Sequence, residues 1–158
     1  MVNVYHAEHK RYKRIPHGLE PGTPAIEAVI GLGKAVDYLQ TIGYKAISEH
    51  LSDWSELFLK YLADSQYELA FVKHECSLAV FTLKHKNLTQ GYEDIARMLS
   101  DTYNIAVGEG QQCCGPLYYA KQLPAGMRVS AQMYNGIEEV EYLFACLNSL
   151  DCFVGISA

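Results

Sequence analysis

Apolar residues recur three to four positions apart in four stretches of the chain, and this spacing predicts four helices. The first begins at Pro24, with Thr23 as its N-cap, and ends at Gly43, because proline suits a first helical turn and glycine a helix end. The other three are predicted over residues 45–62, 89–99 and 137–150. The apolar faces of the first, second and fourth helices comprise Ile26, Val29, Ile30, Gly33, Val36, Leu39 and Ile42, then Ile47, Leu51, Trp54, Leu57, Phe58 and Leu62, then Val140, Leu143, Phe144 and Leu147.

Between these helices the apolar pattern changes to that of strands. Runs rich in β-branched and aromatic residues predict strands at residues 67–72, 77–83, 104–107 (buried) and 128–131. Helices that precede and interleave with strands predict an α+β fold, with a small, mostly antiparallel sheet covered by helices on one face. Residues 1–24 are charged and then rich in proline and glycine, so we expect an extended N-terminal arm and loop there, followed by a domain over residues 25–158.

Composition then limits the function. A chain of 158 residues with 49% hydrophobic and 20% charged residues is typical of one soluble globular domain. A net charge of −5, with a single short basic run at residues 10–14, argues against nucleic acid as a partner. No apolar run approaches the roughly 20 residues that span a bilayer, so no membrane association is expected.

Cysteine usage indicates a reducing environment. The chain has five cysteines, an odd number, and Cys113 and Cys114 are adjacent and cannot easily bridge to each other. No pair has C-x-x-C spacing and the six histidines are scattered, so we expect no metal site. These features favour a cytoplasmic protein with free thiols.

Two residue types that can carry chemistry stand fifteen positions apart. Cys113 lies in a loop bounded by glycines, where a thiolate could approach a substrate, although a buried structural cysteine is the common alternative. Cys114 is expected to pack inward. Arg128 lies in a strand-like segment and could bind a carboxylate through its two-pronged guanidinium, or pair with an acid such as Glu138 or Glu139.

A third candidate precedes the first helix. Gly22 and Thr23 could bind a phosphate through backbone N–H groups and the hydroxyl. The alternative is a plain helix N-cap, which needs no ligand.

Four ordered motifs resemble the C-terminal part of the class V aminotransferase-like enzymes of fold type I, and among them the SufS-type cysteine desulfurases. Residues 19–24 match the F-E-A-G-T-P segment of that family, and residues 29–39 match the I-I-G-L-G-A-A-L-E-Y-L helix that follows it. Residues 104–117 match G-I-A-V-R-T-G-H-H-C-A-x-P-L, and residues 128–141 match R-A-S-x-x-x-Y-N-T-x-E-E-V-D. The resemblance covers residues 16–150.

The resemblance implies a role for each candidate. Cys113 matches the nucleophile that takes sulfur from a cysteine bound to pyridoxal 5'-phosphate and becomes a persulfide. Arg128 matches the arginine that binds the substrate carboxylate. Gly22 and Thr23 match the pair that reaches the cofactor phosphate across a dimer interface, and Asn135 matches a residue that shapes the turn into the last helix.

The sequence departs from the family pattern around the thiol. Gly108 stands where the family has arginine, and Gly136 replaces the threonine of Y-N-T. Gln111 and Gln112 replace two histidines, so the loop loses side chains that could exchange protons with a thiol.

In the family, the lysine that binds the cofactor and its ring-nitrogen aspartate lie in a large N-terminal domain. None of the nine lysines of this chain has a matching context, so we expect the chain to bind pyridoxal 5'-phosphate only with a complementary large domain and to be catalytically incomplete by itself. The implied partners are an amino-acid substrate, a sulfur-acceptor protein, and a large domain or a second copy of the chain. Alternatives are a non-catalytic module that binds a partner or carries sulfur on Cys113, and a class V lyase or aminotransferase.

Overall fold

The structure is a computed structural model that describes residues 2–6, 9–12, 14–19, 22–71, 79–88 and 91–154. It divides into two units, Met1–Tyr44 and Lys45–Ala158. This division lies beyond the first long helix, and the predicted partition into residues 1–24 and 25–158 stays a prediction.

The first unit holds a hairpin and one long helix. Strands β1 (Val2–His6) and β2 (His9–Tyr12) pair antiparallel, so the arm expected to be extended contains a hairpin. A 3-10 turn at His17–Leu19 follows, and then helix α1 (Ile26–Ile42).

The two ends of α1 differ in how well the sequence predicted them. Gly43 ends the helix as predicted, with φ of +92° and its N–H donating to the Leu39 carbonyl at 2.9 Å. The predicted cap at Thr23 is wrong, because the N-cap is Ala25 and it makes no side-chain capping bond. None of the α1 side chains is buried; Val29, Ile30 and Leu32 are 63–65% exposed.

The remaining elements form an α+β arrangement, as predicted. They are α2 (Tyr44–Ala63), β3 (Tyr67–Leu69), β4 (Val80–His85), α3 (Tyr92–Tyr103), β5 (Gly108–Gly110), α4 (Gly115–Ala120), β6 (Gly126–Ser130) and α5 (Glu138–Val154). The four strands β3 to β6 form one antiparallel sheet in the order β3-β4-β6-β5.

One face of this sheet packs against helices and forms the core. Its buried strand residues are Tyr67, Phe81, Leu83, Met127 and Val129, and the residues that pack from α2 and α5 include Trp54, Phe58, Phe144 and Leu147. Phe58 and Phe81 stack with ring centroids 4.5 Å apart, which joins α2 to β4. The predicted inward residues of the second and fourth helices therefore lie in or against the core.

The predicted buried strand at residues 104–107 is wrong. Asn104 has φ of +55° and ends α3, and its N–H donates to the Ser100 carbonyl, as in the left-handed C-cap motif. The Ile105 N–H donates to the Leu99 carbonyl. The chain then runs irregularly, with Asn104 and Ala106 exposed, and sheet pairing starts at Gly108.

Other predicted boundaries shift by a few residues. The third helix begins at Tyr92, and the first two residues predicted for it, 89–90, lie outside the described residues. Residue 72 of the first predicted strand and residues 77–78 of the second also lie outside them. Helix α4 was not predicted.

Candidate active-site loop

The face of the sheet opposite the core carries the candidate arginine. Thr82, Arg128 and Gly108 are cross-strand partners on β4, β6 and β5, so their side-chain positions share one face. Arg128 is exposed there, in contrast to its buried neighbours Met127 and Val129. The β5–β6 pairing therefore brings the strand that leads to Cys113 beside the strand that carries Arg128.

Cys113 lies in the turn between β5 and α4. Gly110 ends β5 with φ of +85°, and Gln112 and Cys113 follow with φ of +52° and +58°, a left-handed conformation that is uncommon for residues other than glycine. The Cys114 N–H donates to the Gln111 carbonyl at 2.8 Å and closes the turn. Cys113 is exposed, as a reactive thiol requires.

The two glutamines that replace the family histidines hold this loop. Gln111 Nε2 donates to the Pro124 carbonyl at 3.1 Å, and Gln112 Nε2 donates to the Glu109 carbonyl at 2.6 Å. Their amides are thus engaged with backbone on both sides of the turn.

The Gln112 side chain occupies the space next to Gly108. A Cβ atom at Gly108 would lie 3.1 Å from Gln112 Oε1 and 3.3 Å from its Nε2. The Gln112 amide therefore covers the position from which a longer side chain at residue 108 would project.

Arg128 makes none of the ion pairs found among the described residues. The predicted alternative, a salt bridge to Glu138 or Glu139, is therefore absent from this part of the chain. Glu139 Oε2 instead accepts a hydrogen bond from Asn135 Nδ2 at 2.8 Å. An exposed guanidinium whose fork is not taken by a carboxylate could bind one from a ligand.

Asn135 shapes the entry to α5, as predicted. Its Oδ1 accepts a hydrogen bond from the Gln132 N–H at 2.8 Å, while its Nδ2 reaches Glu139 in the first turn of α5. Its carbonyl lies 2.8 Å from His50 Nε2, which joins this turn to α2.

The expectation for Cys114 is wrong, because its side chain is exposed like that of Cys113. Cys114 is the N-cap of α4, so it stands at a helix entrance at the surface rather than within a strand with one inward face. Its carbonyl accepts hydrogen bonds from the N–H groups of Leu117 at 2.9 Å and Tyr118 at 3.3 Å.

Tyr118 packs α4 against the face of the sheet that carries Arg128. It is 1% exposed, and its ring packs edge-on against Phe71 with centroids 5.2 Å apart. Its hydroxyl oxygen would lie 3.2 Å from a Cβ atom at Gly126, so glycine at that position makes room for it. Burial raises the pKa of this hydroxyl, an interaction with the Thr82 side chain lowers it, and smaller effects come from Cys114 and Arg128.

Gly22 and Thr23 belong to the first unit, before α1. Both are exposed, and Gly22 has φ of +118°, a conformation that favours glycine. A Cβ atom on Gly22 would meet nothing within 4 Å, so the requirement there is for backbone freedom rather than space.

Sequence reasoning did not find a cleft of about 610 Å³ elsewhere in the second unit. It opens where residues 104–107 leave the edge of β6, and aromatic side chains of several elements line it, including Trp54, Tyr103, Tyr134 and Tyr142. The indole Nε1 of Trp54 is buried and has no hydrogen-bond partner among the described residues. The irregular segment 104–107, which stands in place of the predicted strand, lines this cleft.

A buried polar cluster lies at the other end of the sheet. Asp151 Oδ1 of α5 is 3.5 Å from His85 Nε2, and the His85 ring packs edge-on against Tyr67 at 4.9 Å. The Asn87 N–H donates to His85 Nδ1 at 3.1 Å, so the neutral ring carries its proton on Nε2, toward Asp151. Burial raises the pKa of the Asp151 carboxyl, against an opposing effect of His85.

No three histidine, cysteine or acidic side chains among the described residues are grouped as metal ligands would be. The helices formed by the described residues are all too short or too polar to span a bilayer.

The fold and the loop together define a small α+β domain that holds a thiol-bearing turn beside an arginine-bearing strand. The family model of the class-V aminotransferases matches residues 1–143, and the chain belongs to that family.

Relatives within the family are cysteine desulfurases. The chain is 33% identical over 144 residues to a cysteine desulfurase of Enterobacter sp. (strain 638), and 31% identical over 155 residues to one of Shigella flexneri. These matches cover 91% and 98% of this chain but 34% and 37% of the relatives. The chain is thus a cysteine-desulfurase-like domain that spans about a third of the length of the curated relatives it matches.

Solved structures agree on the fold. The apo cysteine desulfurase of Thermococcus onnurineus NA1 superposes with a TM-score of 0.81 over 94% of this chain and 37% of that one, at 22% identity. The S-sulfonic acid form of a cysteine desulfurase from Escherichia coli gives 0.81 over 94% and 36%, at 21% identity.

Proposed function

We propose that this chain is the sulfur-accepting and substrate-clamping part of a pyridoxal-phosphate-dependent cysteine desulfurase. Cys113 would receive sulfur from L-cysteine as a persulfide and leave alanine, while Arg128 would bind the substrate carboxylate. The observation that carries this proposal is the β5–β6 pairing, which joins an exposed thiol loop to a strand whose exposed arginine has no ion-pair partner among the described residues.

The described residues fit one end of the cofactor. Gly22 offers an exposed backbone, Thr23 offers a hydroxyl, and the first N–H groups of α1 lack a side-chain cap, a combination that suits a phosphate. When bound, pyridoxal phosphate would supply the electron sink for the reaction.

Four of the described lysines are already engaged with other groups. Lys34, Lys45 and Lys84 form ion pairs with acids, and Lys86 donates to a backbone carbonyl. We propose that the cofactor requires a complementary large domain, since none of the chain's lysines lies in the sequence context of the family's cofactor-binding lysine. The assembly would act in the cytoplasm as an oligomer and pass sulfur to an acceptor protein.

This chain's own groups would contribute binding and nucleophilicity. The Arg128 fork would orient the substrate by its carboxylate. The exposed turn would let the Cys113 thiolate reach the substrate sulfur and carry it away on the surface. The engaged amides of Gln111 and Gln112 would hold the turn and could not act as acids or bases.

The test combines the purified chain with pyridoxal phosphate, L-cysteine and the large domain of a relative, and measures alanine and released sulfur. We expect no product from the chain alone and product from the mixture. Cys113→Ser should reduce product to background, since it removes the sulfur acceptor. Sulfur release that persists undiminished in Cys113→Ser would contradict the proposal.

Arg128→Gln should chiefly raise KM for L-cysteine, because the lost interaction binds the substrate carboxylate. Lys84→Gln is the matched control, since it removes a cation on the same sheet that already pairs with Glu68. An equal rise in KM for both variants would show a general charge effect rather than a specific clamp.

A partner-binding module without catalysis is the second candidate, and α1 is the observation that favours it. Large apolar side chains of this helix are exposed, among them Ile26, Val29, Ile30 and Leu32. Such a surface is typical of an interface. Sedimentation should therefore show association of the chain with itself or with the large domain, and Ile30→Glu should weaken it. A monomer under all conditions would count against this role.

A further inference from the structure

The aromatic cleft of the second unit has the size and lining of a small-molecule site. Its volume of about 610 Å³ lies within the range of about 300–1,000 Å³ that such sites occupy. Neither Cys113 nor Arg128 is among the described residues that line it, so the proposed function leaves it unused. We propose that this cleft binds a small organic cation, with its charge near Glu139 and a hydrogen-bond acceptor at the indole N–H of Trp54.

The cleft runs from a buried floor to an open mouth. Trp54, Val129 and Leu143 line it and are buried, whereas Tyr134 and Tyr142 line it and are 78% and 51% exposed. An apolar floor and aromatic walls suit the hydrophobic body of a ligand. The ligand would thus meet the core at one end and water at the other.

The floor contains a polar group that the described residues leave unsatisfied. The Trp54 side chain is 3% exposed, and its ring stacks on Phe58 with centroids 5.2 Å apart. The indole can only donate, and its buried Nε1 has no hydrogen-bond partner among the described residues. A buried donor without an acceptor is unfavourable, so an acceptor on the ligand would stabilise both.

The charge of the lining selects a cation. Glu139 is the one charged side chain among the described residues that line the cleft, and it is exposed. Asn135 holds this carboxylate, because its Nδ2 donates to Glu139 Oε2 at 2.8 Å while its Oδ1 accepts from the Gln132 N–H. An anion would be repelled by Glu139 and would meet no basic side chain among these residues.

Two further features favour positive charge. Helix α3 ends at the cleft, where Tyr103 and Asn104 line it, and the C-terminal end of a helix carries partial negative charge. The faces of tyrosine rings also attract cations that approach within about 6 Å. The Tyr142 hydroxyl donates to the Tyr103 carbonyl at 3.2 Å, which links α5 to the end of α3 beside the cleft.

The test uses the full chain and its single tryptophan. The indole N–H of Trp54 gives one signal in the NMR spectrum of nitrogen-labelled protein, and that signal reports on the floor of the cleft. The probe is tyramine, which joins an ammonium group to an aromatic ring with a phenol oxygen. Three relatives of the probe each change one feature: para-ethylphenol lacks the ammonium, phloretate carries a carboxylate in its place, and phenethylamine lacks the phenol oxygen.

The four compounds should differ in a defined order. We expect tyramine to bind about three- to tenfold more tightly than para-ethylphenol, since only tyramine carries the charge, and phloretate to bind more weakly than both. Tyramine should move the indole N–H signal downfield, as hydrogen bonding does. Phenethylamine should bind without that downfield shift, because it offers no acceptor.

Glu139→Gln tests the carboxylate. It keeps an acceptor for Asn135 but removes the charge, so it should weaken tyramine binding by about threefold or more and leave para-ethylphenol unchanged. Glu138→Gln is the matched control, since it removes a neighbouring exposed acid of the same helical turn that is not among the residues lining the cleft. Circular dichroism checks that both variants keep the fold.

Several outcomes would overturn this inference. Equal affinity for tyramine and para-ethylphenol, or equal weakening by the two variants, would overturn the selection of a cation. An equal downfield shift with phenethylamine would overturn the hydrogen bond to Trp54, and an indole signal unmoved by millimolar tyramine would overturn the cleft as a ligand site.

A last titration adds the large domain of a relative. Tyramine binding should persist in that mixture; if it is lost, the large domain fills the cleft and the inference is wrong. The inference does not depend on the proposed function, because the roles of Cys113 and Arg128 are tested by alanine and sulfur release and not by binding of tyramine.

Discussion

The two faces of the four-stranded sheet use neighbouring residues for opposite purposes. Met127 is fully buried against the helices, and the next residue, Arg128, is exposed on the other face. The core face is apolar except at the end that holds His85, whereas the other face combines an arginine, a threonine and two glycines with the turn that carries the thiols. Stability is therefore concentrated on one side of β6 and candidate chemistry on the other.

Substitution of adjacent residues tests this separation with the largest expected effect. Met127→Ala should lower the free energy of unfolding by about 2–5 kcal/mol, because it removes buried atoms and leaves a cavity. Urea denaturation followed by circular dichroism measures it.

The matched control for this change is Arg128→Gln. Its exposed side chain makes no ion pair with the described residues, so the loss should stay within about 0.5 kcal/mol. Comparable losses for the two variants would show that the faces are not energetically separate.

Glycines on the candidate face give the next effect. Gly126→Ala should cost about 1–3 kcal/mol, since the added methyl would overpack a filled space. Its Cβ would lie 2.9 Å from Thr82 Cγ2 and 3.2 Å from both the Leu83 carbonyl oxygen and the Tyr118 hydroxyl.

Gly108→Ala is the control on the same face. There the nearest atoms belong to the Gln112 side chain, which can move, so the change should stay within about 0.5 kcal/mol. Thermal unfolding of both variants measures the two losses of stability. A loss of stability in Gly108→Ala above this limit would mean that the hydrogen bond from Gln112 to Glu109 stabilises the turn more than expected.

The smallest of the three effects depends on pH. It concerns the Asp151 carboxyl, which lies beside His85 at the polar end of the core face. Burial raises the pKa of Asp151, so the folded state binds its proton more tightly than the unfolded chain does. The ionised carboxylate therefore destabilises the fold at neutral pH, and this cost disappears as pH falls through the raised pKa to the ordinary carboxyl range.

Asp151→Asn should accordingly be more stable than the parent protein at pH 7, with the difference closing on acidification. Asp53→Asn, which removes an exposed carboxylate from α2, is the control and should show no such closing gap. The free energy of unfolding of each protein, measured at several pH values, tests this prediction. If the parent protein is more stable than Asp151→Asn at pH 7, the contact with His85 outweighs the cost of burying the carboxylate.

The sequence predicted most of the core face because its signal is periodic. Trp54, Phe58 and Leu62 recur at helical spacing, and Phe81 and Leu83 alternate along a strand, so burial could be deduced before the fold was known. The same kind of signal gave a wrong prediction at Ile105 and Val107. Their apolar character suggested a buried strand, but Asn104 ends α3 in a left-handed conformation and the chain leaves the sheet edge there.

The candidate face was harder to predict, since its features depend on neighbours distant in sequence. Nothing local to Tyr118 indicates that its hydroxyl would lie beside Gly126, and Cys114 gave no sign that a helix would start directly after it. Thr23 followed a common capping pattern, yet the helix starts two residues later. The roles of Cys113, Arg128, Gly22 and Thr23 came from the family resemblance and stay predictions.

The hydrogen bond from Gln111 to Pro124 has a mechanical consequence. It ties the turn to the segment that enters β6, while the β5–β6 ladder ties the other side of the turn to the same strand. Force applied to the thiol would be transmitted to the strand that carries Arg128. The turn and the strand are mechanically coupled, so Cys113 and Arg128 should shift together.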